Sequence, residues 1–422
     1  MPPGRSAWIG LYCPVVPVEG VDLGLLFGAV EERPPLDAVE VMAGELARVL
    51  GAGHVALLIA DLSGSTLVRL SHVTGSAQTA GHNERGEAVP LAGVHERVFS
   101  TQQAAVVAEG DAWRVLVPVT ERGDAIGLLE VSLPAEPDPG VIASLVAAGH
   151  ALAYVLIAVR RHTDLFEWAQ RDRPFSVSAE IQRRLLPSAY TAEAGAVTVA
   201  GWLEPSHTAG GDTFDYSLDR EYLYLSLTDA MGHSTPAALL ATLAVGVLRN
   251  RRRVLATPAE QAEAADAELR ANASADQFVT GLIARLRLAD GALEVVNAGH
   301  PAPYVIRDGR PRGLELSIHP PLGAGPGGYR ADMVTLEAGD RLVMVTDGYL
   351  ERQAALVEIE AILVAGAGRH PRQVVQQLAR AVLAATGGRL RDDATVLCVD
   401  FYGPAGRRDA TGGASQARAT RP

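Results

Sequence analysis

The side chains able to do chemistry in this chain are aspartates at the ends of apolar runs. Asp212 and Asp215 stand in "AGGDTFDY" (209–216), behind a glycine pair. Asp229 closes "YLYLSLTDA", Asp347 closes "DRLVMVTD" with Gly348 behind it, and Asp392 and Asp393 precede "ATVLCVDF". Each falls where a buried strand should emerge at the edge of its sheet. Aspartate before glycine is also an ordinary turn signal, so any one of these positions alone reads as a solvated turn. Repetition makes the bland reading hard to keep. A hairpin through "SLDRE" would set Asp212 beside Asp229, and an antiparallel final strand would bring Asp392 and Asp393 to the same edge as Asp347. Convergent carboxylates repel unless a cation neutralises them. Oxygen-only donors select hard ions such as Mg²⁺ or Mn²⁺. Several aspartates in one site suit two ions roughly 3.5–4 Å apart, which acidify a bridging water and clamp a phosphoryl group. Asp215 and Asp219 do not make a calcium loop with Asp212, because the spacing is wrong and the terminal Glu is missing.

The elements that must position these residues follow from length and pattern. A chain of 422 residues exceeds one ordinary core and predicts two domains with linkers. The net charge of −12 argues against nucleic acid as a partner. All 37 basic residues are arginine, which excludes a Walker-type lysine and a Schiff base. Cys13 and Cys398 lack metal-ligand spacing and read as free thiols in a reducing, cytoplasmic compartment. "MPPGRSAWIG" shows no secretory signal. Residues 1–20 read as a flexible leader, 21–160 as a small α/β domain, 161–190 as a helical connector broken at Pro174, 191–403 as the second domain and 404–422 as a disordered tail. In the first domain, "LDAVEVMAGELARVLG" has helical spacing and a glycine stop at Gly51, and two strand-like runs flank an "LSGS" turn. His72, His82 and His95 are scattered and form no constellation. The uncharged run 141–159 is long enough to span a membrane. Its alanines, Ser144, Gly149 and His150 favour a buried, dimer-packed helix instead, so no membrane is expected.

The motifs "GGDTFD", "TDAMGHS", "FVTGLIARL", "VNAGHPAPYV", "AGDRLVMVTDGYLE" and "DDATVL" occur in the order found in metal-dependent type 2C phosphatases. The stretch 180–402 resembles their bacterial branch named after the stage II sporulation phosphatase, and "EIQRRLLP" resembles the helix that branch carries ahead of its catalytic domain. The order of elements in 21–160 resembles a GAF sensor domain. The resemblance implies an α+β chain with a GAF-like sensor, a helical connector and a C-terminal α-β-β-α sandwich. It implies two divalent cations, Mn²⁺ or Mg²⁺, with Asp212 and Asp229 as the shared catalytic ligands. The Gly211 and Ala230 carbonyls, Asp347 and Asp392 would complete the set. Asp215, His233, Gly348 and Asp393 would lie just behind the ligands. It further implies a homodimer that dephosphorylates an anti-sigma-factor antagonist under control of a small-molecule or protein signal. A silent signalling scaffold and a GAF-type ligand receptor are the alternatives.

Other signals read as structural. Imidazole titrates near neutrality, so His233 is a candidate general acid, but orienting its turn is the favoured role. Ser234 or Thr235 should cap the helix that follows, with Pro236 near its first turn. His300 sits in a tight turn. "LGAGPGG" (322–328) reads as a flexible flap near the site, and "TPAE" (257–260) as a capping box.

Overall fold

The computed structural model describes residues 21–61, 66–74, 87–169, 176–206, 210–274, 276–350, 353–408 and 413–415. The leader with Cys13, the "LSGS" turn, His82, Pro174 and the rest of the tail lie outside the described residues.

The N-terminal domain is one antiparallel sheet in the order Glu87–Pro90, Thr66–Thr74, His54–Ala60, Asp124–Leu133, Ala112–Glu121 and Ala105–Glu109. Side chains alternate across a strand. Val55, Leu57 and Ile59 therefore join one core and Ala56, Leu58 and Ala60 another. The first core is closed by helices Leu23–Glu31, Ala38–Leu50 and Pro139–Val159, the second by helix Gly93–Thr101. Helix Ala38–Leu50 stops as expected at Gly51, which takes the left-handed φ of 62°. Pro139–Val159 is the one described helix long and apolar enough to cross a membrane. Half of that apolar window is buried, and Leu145, Leu152 and Leu156 pack into the domain's own core.

The connector helices Leu165–Ala169 and Val177–Leu185 lead into the second domain. Two sheets face each other there. One runs Ile318–His319, Ala292–Ala298, Val279–Arg287, Tyr222–Ala230, Thr213–Leu218, with Asp332–Thr335 also on Ala292–Ala298. The other runs Arg310–Gly313, Tyr304–Arg307, Arg341–Val345, Ala394–Phe401, Val197–Glu204, Thr191–Glu193. Phe214, Leu227, Leu282, Met344 and Leu397 fill the space between them. Helices Ser234–Arg252 and Pro258–Asn272 cover the outside of the first sheet, and Ile359–Ala365 and Pro371–Ala385 that of the second. This is the expected α-β-β-α sandwich.

Two local expectations are corrected. The N-cap of helix Ser234–Arg252 is His233, with no side-chain capping bond, and Ser234 takes a φ of 64°. The "LGAGPGG" stretch is tied down rather than free. Gly323 N–H donates to Asp266 (2.9 Å), and Gly328 and Tyr329 N–H donate to Glu263 (2.5 and 2.8 Å), both on helix Pro258–Asn272. The capping box of that helix forms as read, between Thr257 and Glu260.

Register in the second sheet matters because Asp347 and Asp392–Asp393 flank two paired strands. Arg341 and Asp400 are direct partners at the opposite end of that pair. Their side chains form a fully buried ion pair at 2.6 Å, and Arg341 also donates to the carbonyls of Gly366 (2.8 Å) and Arg369 (2.6 Å). Removing one partner strands the other charge in the core, which costs about 3–5 kcal/mol. Arg341→Leu is therefore expected to destabilise the chain by about that amount in urea denaturation. A change within about 0.5 kcal/mol, the range of an ordinary surface substitution, would show that the pair does not hold the register.

Candidate metal centre

Strand geometry places the aspartates as their spacing suggested. Thr213–Leu218 pairs antiparallel with Tyr222–Ala230, Thr213 opposite Thr228, so Asp212 and Asp229 end adjacent strands of the first sheet. Arg341–Val345 pairs antiparallel with Ala394–Phe401, Val345 opposite Val396, so Asp347 and Asp392–Asp393 end adjacent strands of the second. The two sheet edges meet there.

Asp212 is 2% exposed, and its Oδ2 accepts hydrogen bonds from the hydroxyls of Thr346 (2.8 Å) and Thr395 (2.6 Å), both on the opposite sheet. Thr346 in turn accepts from the Thr395 N–H at 2.9 Å. These threonines tie the sheets together through the carboxylate between them. Behind Asp212, the hydroxyls of Thr213 and Thr228 share a bond of 2.6 Å. Asp393 is 1% exposed and held by neutral donors: the N–H groups of Ser206 (2.7 Å) and Gly210 (3.0 Å) and the Gln182 carboxamide. Gln182 also donates to the Asp212 carbonyl at 2.9 Å. Asp392 is exposed, and its Oδ1 accepts from the Asp393 N–H at 2.9 Å.

Two glycines are required by close approach. A Cβ on Gly211 would lie 2.3 Å from the Ala230 carbonyl oxygen, and one on Gly348 would lie 1.9 Å from that of Asp393. Both contacts are far inside van der Waals range, so any side chain would push the strand ends apart.

The electrostatics follow from packing acids without counter-charge. Burial, then the carboxylates of Asp347, Asp392 and Asp393, push Asp229 up to about 7. Burial, then Asp229 and Asp393, push Asp212 well above the usual carboxylate range, against the opposing bonds from Thr395 and Thr346. As placed, no three acidic, histidine or cysteine side chains among the described residues stand close enough together to hold a metal ion. The donor set nevertheless fits a hard divalent cation. It offers carboxylates and backbone carbonyls only, and two of its acids are raised by burial and by the neighbouring carboxylates, with no counter-charge beside them.

The remaining expected residues sit apart from this cluster. Asp215 is buried against Arg249 (2.8 Å) and Arg252 (2.6 Å), and anchors helix Ser234–Arg252 to its sheet. Among the described residues, the exposed His233 hydrogen-bonds only its neighbour Ser234, at 3.1 Å. His300 is a buried turn element, bonded to Asn297 through its N–H (2.7 Å) and carbonyl (2.8 Å). Sequence reasoning missed Gln182, Thr346 and Thr395. The two threonines were visible as Thr-Asp and Asp-Asp-Ala-Thr neighbours, but their hydroxyls gain a partner only when the sheets stack.

Asp229 gives a stability test in the metal-free protein. Its folded pKa of about 7 lies above the unfolded value near 4, so the folded state keeps a proton that the unfolded chain releases. Stability should therefore fall as pH rises from about 4 to about 7 and level off above. In EDTA, Asp229→Asn is expected to stabilise the chain at pH 8 by on the order of 1–3 kcal/mol and by much less at pH 5. An equal gain at both pH values, or a loss, would contradict the electrostatic account.

Residues 219–402 match the family model described as stage II sporulation protein E. Solved structures similar to the chain include the RsbU and RsbW domains of a Mycobacterium tuberculosis protein, 24% identical over 54% of this chain and 62% of that one, with a TM-score of 0.45. A phosphatase-domain structure of SpoIIE from Bacillus subtilis with a regulatory fragment is 17% identical over 49% of this chain and 65% of that one, with a TM-score of 0.43. The SiaA PP2C domain of Pseudomonas aeruginosa is 22% identical over 48% of this chain and 85% of that one, with a TM-score of 0.41. The chain thus spans under two thirds of the first two. The C-terminal half carries, over residues 219–402, a stage II sporulation protein E family domain.

Proposed function

We propose that this chain is a metal-dependent protein-serine/threonine phosphatase whose activity is set by its N-terminal domain. The observation that carries the reading is the meeting of acids from two sheets at one edge, with Asp212 and Asp393 held by neutral donors alone. Asp212 and Asp229 would be shared by two divalent cations, Mn²⁺ or Mg²⁺, with Asp347, Asp392 and the Gly211 and Ala230 carbonyls completing the donors. When bound, such ions supply an acidified water and charge neutralisation on a phosphoryl group. The chain's own residues keep the donors in place. Thr346 and Thr395 hold Asp212 against the repulsion of its neighbours. Gln182, Ser206 and Gly210 fix Asp393, which stays behind the ligand edge. The exposed His233, on the turn after Asp229 and Ala230, orients that turn.

A phosphoprotein substrate suits the rim. Met231 and Leu350 lie on the turns just after Asp229 and Asp347 and are 46% and 38% exposed, an apolar margin suited to a polypeptide rather than to a small phosphate ester. The family supports a substrate of the anti-sigma antagonist type, acting in a cytoplasmic partner-switching pathway. The exposed Leu25, Phe27 and Tyr154 on the N-terminal helices support a homodimer built on that domain. The connector supports control from the N-terminal side, because Gln182 touches two of the acidic segments at once.

Asp229→Ala or Asp347→Ala is expected to abolish Mn²⁺-dependent release of phosphate from a phosphorylated anti-sigma antagonist, with circular dichroism unchanged. EDTA should do the same to the wild type. Full turnover in either variant, or turnover indifferent to EDTA, would refute the reading.

A further inference from the structure

A cavity of about 420 Å³ lies where the N-terminal domain, the connector and the phosphatase domain meet. Its volume falls in the range of small-molecule sites. All three parts supply apolar wall: Ile59 and Leu156 from the N-terminal domain, Phe166 from the connector, and Trp202 and Val375 from the phosphatase domain. Tyr190 and Trp202 meet edge to face, with ring centroids 6.1 Å apart.

The polar lining is unbalanced. Three of its carboxylates already have partners. Asp124 accepts from the N–H groups of Tyr190 (2.9 Å) and Thr191 (3.1 Å), Asp61 from the Thr66 N–H (3.0 Å), and Glu167 pairs with Arg184 (2.7 Å). Arg372 is committed to Glu193 at 3.3 Å. Arg160 and Arg161, by contrast, make no side-chain hydrogen bond or ion pair among the described residues, although the Arg160 charge reaches Asp124 across the lining without closing to a bond. They close helix Pro139–Val159, where a guanidinium complements the helix dipole. That interaction needs no apolar chamber beside it. A further orphan lies in the lining, where the Oε1 of Gln376 is buried without a hydrogen-bond partner. A buried acceptor left unmet costs about 1–3 kcal/mol, so such a group usually has an occupant to meet.

We propose that this cavity binds a small amphipathic organic anion. Its aromatic or apolar body would rest on Phe166, Tyr190 and Trp202, its oxyanion on Arg160 and Arg161, and a donor group would meet Gln376. A guanidinium beside an apolar wall binds an oxyanion more strongly than in open water, because the surroundings are less polar. Neither half suffices alone. An inorganic anion leaves the wall wet, and a neutral aromatic leaves the guanidinia unmet. A ligand seated there touches all three parts of the chain and stabilises their mutual docking by mass action. This inference does not depend on phosphatase turnover.

The test uses the full chain and the fluorescent probe anilinonaphthalenesulfonate, an aromatic body with one sulfonate. One saturable site per chain is expected, displaced by indoleacetate but not by sulfate or by neutral indole at equal concentration. The double variant Arg160→Gln/Arg161→Gln should bind the probe at least about tenfold more weakly with an unchanged melting temperature. Gln376→Trp fills the chamber and leaves both arginines in place, so it should remove the site. Unchanged affinity in the arginine variant overturns the proposal. So does displacement by sulfate alone, which would mean a plain anion site. Loss of the signal in Leu25→Gln also overturns it, because the probe would then sit on the exposed N-terminal helices.

Discussion

The structure depends on holding a carboxylate where its neighbours repel it. Asp212 is sealed between two sheets, and what keeps it there is a pair of threonine hydroxyls from the opposite sheet. Neutral donors satisfy its lone pairs without cancelling its charge. Burial raises both Asp212 and Asp229 first; the charges of Asp229 and Asp393 then act on Asp212, and those of Asp347, Asp392 and Asp393 on Asp229, so both carboxyls lie above the usual range. A salt bridge in the same place would have cancelled that charge and relieved the strain. Stability is given up at this edge and recovered elsewhere, in the apolar layer between the sheets and in the Arg341–Asp400 pair at the far end of the strands.

What the sequence revealed of this arrangement was the part encoded locally. A strand ending in aspartate, followed by glycine, can be read off the chain, and the short "SLDRE" turn permits only an antiparallel return. Asp212 beside Asp229 was legible for that reason, as was the glycine stop at Gly51. Asp393 was not. Its donors come from residues 182, 206 and 210, and no pattern along the chain links a connector glutamine to an acid some two hundred positions later. The "LGAGPGG" stretch misled in the opposite direction. Glycine content suggests freedom, yet the N–H groups of such a segment are free to be captured, and Glu263 and Asp266 capture them. Asp215 shares a motif with Asp212, and the resemblance sets it just behind the ligands. Three residues along a strand change the face, and Asp215 faces the arginines of a helix instead.

The connector helix joins what the two domains do. One of its faces carries Gln182, bonded to the acidic segments, and its last turn offers the Leu185 carbonyl to Arg249 at 2.5 Å. Arg249 is also the partner of Asp215. A rotation of this helix would therefore disturb the donors of Asp393 and the anchoring of helix Ser234–Arg252 together. Because the Gln182 bonds are buried, breaking them leaves buried polar groups unmet, which favours two discrete arrangements over a graded one.

The other tie between the domains has the same character. Glu193 is fully buried, and His370 (3.1 Å), Arg372 (3.3 Å), Arg408 (2.9 Å) and the N–H of Ser415 (2.8 Å) converge on it. Burial alone would raise its pKa, but the bonds from His370 and Ser415 and the charge of His370 outweigh it and hold the value at about 2. Its backbone N–H donates to the Arg122 carbonyl of the N-terminal domain at 2.8 Å, while Arg372 reaches the Ser100 carbonyl of the same domain at 3.3 Å. Residues 413–415 take part directly, since the Gly413 carbonyl accepts from Gly123 N–H at 2.8 Å. One carboxylate thus gathers the N-terminal domain, the phosphatase domain and the end of the chain. The 420 Å³ cavity opens beside this hub, with Arg372, Gly123 and Thr191 common to both neighbourhoods. A ligand there would act on a junction whose central carboxylate already has its partners, so it would strengthen the docking by meeting the open guanidinia and Gln376, and loosen it by displacing charge from Glu193.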